Sequence, residues 1–129
     1  MKRRIEHADF GAMTYAQDEW MSAAPVPTGA GPAFVSLEGD DRGPCTPAVD
    51  IAHATIPRAS DIVSLATRFA TTHAGAREFL EDHGPLTLDG FAFRANGEFS
   101  VGFGVADWPD AMVDVKFRDG VPYDVWLGD

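Results

Sequence analysis

The stretch Phe91-Ala92-Phe93-Arg94-Ala95-Asn96-Gly97-Glu98-Phe99-Ser100-Val101-Gly102-Phe103-Gly104-Val105 decides the fold. Phe99, Val101, Phe103 and Val105 alternate with Ser100, Gly102, Gly104 and Ala106. Such alternation places the large apolar side chains on one face of a strand and the small residues on the other. Asn96-Gly97 tolerates the positive φ angles of a tight hairpin turn, so the two Phe-rich runs read as paired strands. The same reading extends outward. Leu86 and Leu88, then Phe91 and Phe93, mark one strand, and the change of parity at Asp89-Gly90 predicts a bulge. Downstream, Val113, Val115 and Phe117 alternate with Asp114, Lys116 and Arg118. After a second turn signal at Asp119-Gly120, the row Val121, Tyr123, Val125 and Leu127 alternates with Pro122, Asp124, Trp126 and Gly128. Leu86 to Leu127 therefore predicts a four-strand antiparallel meander, with Asp107-Trp108-Pro109-Asp110 as a connecting loop. The small residues opposite the Phe/Val row leave room for a close neighbour, most simply a helix.

That helix is legible upstream. Ile62, Ala66, Phe69, His73, Ala76 and Leu80 recur every three or four residues, the spacing of one helical face. Pro57 suits a first turn, where its missing N–H is not needed. Ser60 reads as an N-cap with Asp61 in the first turn. Gly75 divides the segment into helices at Pro57 to Thr72 and Ala74 to Asp82, and Gly84-Pro85 is a stop signal. Val49, Ala52 and Ile56 follow helical spacing and predict a further helical turn. Before it, Phe10 to Tyr15, Trp20 to Val26 and Ala33 to Glu38 read as short strands of an N-terminal meander, broken by the turn Pro27 to Pro32. The prediction is an α+β chain forming a single domain over residues 1–129. Its antiparallel sheet, N-terminal short strands plus the C-terminal meander, packs against one or two central helices.

Composition narrows the function. Twenty acidic residues against ten basic give a net charge of −10. That opposes nucleic-acid binding, which needs surplus Lys and Arg, and docking on anionic membranes. The single cysteine, Cys45, excludes an intrachain disulfide and fits a reducing, cytoplasmic compartment. Met1-Lys2-Arg3-Arg4 precedes no apolar run, so no secretory signal is expected, and no segment approaches transmembrane length.

Catalytic and metal motifs are not evident. His7, His53, His73 and His83 have no helical pair spacing for a metal, and His73 reads as a partly buried histidine. Asp40-Asp41 and Asp107/Asp110 lack the order of a calcium loop. Cys45 and Ser60 have no accompanying nucleophile signature, and Gly-Phe-Gly at 102–104 does not open a helix as a phosphate loop would. No cofactor is expected. Trp20, Trp108 and Trp126 either cover the edges of the core or anchor a binding surface. Tryptophan is enriched where binding energy concentrates.

The leading Phe-Gly-Ala-Met-Thr-Tyr strand, the Trp at 20 and the ending Asp-Gly-Val-Pro-Tyr-Asp-Val-Trp-Leu-Gly resemble small bacterial proteins of uncharacterised-domain families. Such proteins are often immunity proteins of polymorphic or contact-delivered toxin systems. The resemblance implies a non-catalytic inhibitor of a cognate toxin protein, and acidity suits a basic partner. The expected contacts are Trp108, Asp107, Asp110, Asp114, Asp124 and Trp126, with Asp40 and Asp41 second, on a monomer or homodimer. Two other readings stay open: a small-ligand site or enzyme site between helix and sheet near Gly102 and Gly104, or a structural domain that self-associates through a sheet edge.

Overall fold

Two meanders are joined at their centre by a parallel pair of strands in the computed structural model, which describes residues 3–73, 76–77 and 84–128. The strands are β1 (Arg4–His7), β2 (Gly11–Ala16), β3 (Glu19–Ser22), β4 (Phe34–Asp40), β5 (Gly43–Pro44), β6 (Leu86–Phe93), β7 (Phe99–Val105), β8 (Trp108–Arg118) and β9 (Val121–Gly128). Helices α1 (Thr46–Thr55) and α2 (Ala59–Thr72) run on through a 3-10 turn at Ile56–Arg58 that holds Pro57. The result is a single-domain α+β fold with one nine-stranded sheet in the order β1-β2-β3-β4-β6-β7-β8-β9, and β5 paired to β4. Every pairing is antiparallel except β4 with β6, which aligns Phe34 with Gly90 and Leu37 with Phe93. A parallel pair cannot be joined by a hairpin and requires a long crossover. The helical segment lies within that crossover.

The helices cover the Phe/Val face of the meander. Ala48, Ala52, Ala59, Ile62, Ala66 and Ala70 are buried together with Phe91, Phe93, Phe99, Val101, Phe103, Val113, Val115 and Phe117. Alanines on the helix let it approach a sheet face already filled by bulky rings. Phe99 stacks on Phe117 with centroids 4.7 Å apart, and Phe93 meets Phe99 at 5.7 Å. Burying each such side chain contributes about 1.5–3 kcal/mol. The small residues Ser100, Gly102 and Gly104 therefore face away from the helix, contrary to expectation. The helix supplies its own small residues and has no need of theirs.

Turn chemistry follows the sequence closely. Asp119 (φ 54°) and Gly120 (φ 77°) both adopt the left-handed region between Arg118 and Val121. At the other hairpin only Gly97 does so, and the Asn96 Oδ1 accepts the Glu98 N–H at 3.0 Å. The bulge at Asp89 is present, with the register shifting between Leu88 and Gly90.

Other expectations are corrected. The strand β1 lies ahead of the expected N-terminal meander, and β2 and β3 turn through Gln17 and Asp18, both at positive φ without glycine. The Trp20 strand ends at Ser22, whose Oγ accepts the Val35 N–H at 3.0 Å, and Val26 makes only an isolated bridge to Ala33. The predicted helical turn at Val49 to Ile56 is the ten-residue α1. Arg58, not Ser60, is the N-cap of α2, and it makes no side-chain cap bond. His73 is exposed, with its ring 5.9 Å from that of Phe69. Apart from 76–77, the predicted helix Ala74 to Asp82 lies outside the described residues, as does His83. The β1–β2 turn is tied to α1 by a 2.7 Å hydrogen bond between Asp9 Oδ2 and His53 Nε2.

Gly90 is where β4 and β6 approach most closely. A Cβ there would stand 2.6 Å from the Phe34 carbonyl oxygen, which is backbone and cannot swing aside. Gly90→Ala is expected to destabilise the protein by about 1–3 kcal/mol in urea unfolding. Gly104→Ala, whose Cβ meets only the Thr87 Oγ1 at 3.2 Å, is expected to cost less.

Candidate functional site

Since the helices occupy one face of the sheet, the other face has no covering element among the described residues. Cross-strand register assigns its members: Met21 beside Ser36, Ser36 beside Ala92, Ala92 beside Ser100, Ser100 beside Lys116 and Lys116 beside Asp124. A second row runs Phe34, Gly90, Gly102, Asp114, Trp126. The large exposed hydrophobics concentrate here. Met21 (48% exposed), Phe34 (36%), Met112 (48%) and Trp126 (51%) all lie on this face, and Leu65 on α2 is the exception among the exposed set. An exposed apolar patch of this kind, set among charges, is uncommon unless something binds it.

A groove of about 370 Å³ crosses the middle of the face. Its floor is the cross-strand pair Gly90 and Gly102, where the missing side chains leave a trough. Phe34, Met21 and Met112 form apolar walls, Ser36 and Ser100 add hydroxyls, and Asp89 and Asp114 add carboxylates. The bulge places Asp89 at this lining. Asp114 Oδ1 stands 3.0 Å from where a Gly102 Cβ would be, so the carboxyl lies across the glycine. Desolvation there, and secondarily the charge of Asp89, hold the Asp114 carboxyl pKa above its ordinary value, while Lys116 opposes the shift. Among the described residues Asp114 has no hydrogen bond or ion pair. A carboxylate so placed is better satisfied by a cation from outside.

The β9 end of the face differs in charge. The Glu98 Oε1 accepts from Arg118 Nε at 2.6 Å, and the guanidinium lies 4.4 Å over the Tyr123 ring. That bond keeps the Glu98 carboxyl below its usual range and the Arg118 guanidinium above its own. Tyr123 is on this face because the register shifts between Lys116 and Phe117. The row Val121, Tyr123, Val125, Leu127 is consequently not one face: Val125 and Leu127 pack on the core, whereas Val121 (61% exposed) and Tyr123 (40%) do not.

Asp114, Trp126 and Asp124 are thus brought together on one face, as the sequence proposed. Trp108 is not part of that group. It begins β8 opposite Val105 and packs partly buried against the core, so it is in a strand rather than a loop. Asp107 is in the turn before it, and Asp110 is exposed where β8 bulges. Asp40 and Asp41 lie at the end of β4, where Asp40 Oδ1 accepts the Arg42 N–H at 2.9 Å and Asp41 is 3.8 Å from Arg3. Gly102 and Gly104, expected between helix and sheet, lie instead on the helix-free side. Met21, Phe34, Met112 and Asp89 escaped sequence reading. The available signal was parity: Met21 follows the fully buried Trp20, and Phe34 precedes the fully buried Val35.

Among the described residues no group of three or more His, Cys, Asp or Glu side chains is placed to hold a metal ion, and no helix is long and apolar enough to cross a membrane. No protein-family model, curated protein or solved structure matches the chain.

Asp114 gives a pH test with a defined sign. Its folded-state pKa is raised, so the folded protein holds this proton more tightly than the unfolded chain. Ionisation therefore costs stability at neutral pH, and the cost disappears as pH falls below the ordinary carboxylate range. Asp114→Asn is expected to melt at a higher temperature than the parent at pH 7, with the difference closing near pH ~3.

Proposed function

We propose that this chain is a binding protein without catalytic activity that docks a basic protein partner on the helix-free face of its sheet. The supporting observation is the gathering of Met21, Phe34, Met112, Tyr123 and Trp126 on that one face beside Asp89, Asp114 and Asp124. Methionine side chains adapt to an incoming surface, and tryptophan gives a large rigid contact. The net charge of −10 speeds encounter with a partner of opposite sign and disfavours self-association face to face, which would set Asp114 and Asp89 against their own copies. Cytoplasmic immunity-type inhibition of a cognate toxin domain, the activity implied by the resemblance, fits such a surface. An inhibitor of that kind needs affinity and complementarity but performs no bond chemistry of its own.

The test is calorimetric titration of the purified chain with the purified product of the adjacent gene, together with growth rescue on co-expression. A one-to-one complex, weakened by salt and accompanied by rescue, is expected. Trp126→Ala is expected to weaken binding by roughly 30-fold, the scale of a contact worth about 2 kcal/mol. Leu65→Ala on the exposed side of α2 is expected to leave it unchanged. A neighbouring gene that encodes no basic domain, or a domain that does not bind, removes the toxin reading.

A further inference from the structure

We infer that the groove over Gly90 and Gly102 receives a single arginine side chain of the partner, its guanidinium between Asp89 and Asp114 and its aliphatic stem against Phe34. The inference rests on the protein-docking reading and names the group that reading requires at the centre of the face.

Four features converge on this occupant. The groove, about 370 Å³, has glycines Gly90 and Gly102 at its floor with the Asp114 carboxyl lying across Gly102, so a slender cationic chain laid along it meets that carboxyl. Its walls are apolar, which suits methylenes better than a compact polar ion. Phe34, 36% exposed, lines the same trough, and an aromatic ring there can pair with a planar cation. Asp89 on β6 and Asp114 on β8 line the trough from strands on either side of β7, and the hydrogen bonds and ion pairs of the described residues leave both carboxyls without a cation in contact. A guanidinium has donors on several edges and bridges two carboxylates, whereas an ammonium is a strongly hydrated point charge with no plane to stack. Lys116 is close enough to act on Asp114 only through its field and stands outside the groove lining. The hydroxyls of Ser36 and Ser100 complete the rim.

The experiment uses the full chain and a small probe, so that it does not depend on finding the partner. The ¹⁵N-labelled protein is titrated with N-acetyl-arginine methylamide, followed by amide shifts, alongside the neutral citrulline analogue and the lysine analogue. Saturable shifts clustered at Phe34, Gly90, Gly102 and Asp114 are expected with the arginine probe, at a dissociation constant of about millimolar size as befits one side chain. The lysine probe is expected to bind at least about threefold more weakly, and citrulline not detectably. Asp114→Asn and Asp89→Asn, each checked for an otherwise unchanged spectrum, are expected to weaken the arginine probe by about fivefold or more. Absence of shifts at the groove, equal shifts with citrulline or lysine, or an unchanged constant in both variants overturns the inference. Should the probe fail while the gene-neighbour complex forms, only the arginine assignment falls. Should the probe bind while no partner does, the groove chemistry stands and the toxin reading falls.

Discussion

The parallel alignment of β4 with β6 is the constraint from which the rest of this molecule follows. Had these strands been antiparallel, a short loop could have joined them and left both sheet faces open to helices. Because they run the same way, the chain must travel the full length of the sheet and return, and it does so with α1, the 3-10 turn and α2 in its path. That crossover buries Ala48, Ala52, Ala59, Ala66 and Ala70 on one sheet face. Two meanders with sequential hairpins supply the strands, but neither contains a helix for the opposite face. The same contact also demands Gly90, since the Phe34 backbone leaves no space for a side chain. One steric requirement thus positions the parallel pair and opens the floor of the groove.

The two faces consequently obey different rules. On the covered face, aromatic rings interlock down the centre of the sheet, and fully buried Trp20 donates its indole N–H to the Asp40 carbonyl at 2.8 Å. On the bare face, apolar side chains are spaced by glycine, serine and charge. The groove joins desolvation to like-charge proximity at Asp114, a combination that costs stability and that the field of Lys116 offsets only in part. Farther along, Glu98, Arg118 and Tyr123 satisfy one another and hold the β6–β7 turn to β8 and β9. The face therefore combines a self-satisfied polar end with an acidic trough whose carboxyls have no cation in contact among the described residues, and the proposed docking reading rests on that inequality.

Much of this architecture was legible in the residues. Strict alternation from Phe99 to Val105, the Asp119-Gly120 turn and the parity change at Asp89 all carried through, because each is a local consequence of strand pleat or turn geometry. What failed was non-local. Parity says that Gly102 and Phe103 face opposite ways but not which face the helix will choose, and the small residues misleadingly offered it room. The second bulge, between Lys116 and Phe117, rotates the start of β9 and splits a row of alternating apolar residues across two faces; with Pro122 in the strand, no glycine marks it. Trp108 was misplaced because Pro109 and two aspartates suggest a loop, yet a two-residue turn at Ala106-Asp107 lets β8 begin at the tryptophan. Of the acidic candidates, Asp114 and Asp124 are the ones that the register sets beside Trp126, and the parallel register that adds Met21 and Phe34 has no signature in either segment alone.

The central claim is that the face carrying Met21 and Met112 is bare in the free protein while that carrying Met13 is sealed. Methyl-labelled methionine with a soluble paramagnetic relaxation agent reads both faces in one spectrum. The account predicts strong broadening of the Met21 and Met112 methyls and a sharp, protected Met13 signal, matching exposures of 48%, 48% and 0%. Protection of Met21 and Met112 equal to that of Met13 would mean the face is already covered, and the proposed recognition surface would not exist.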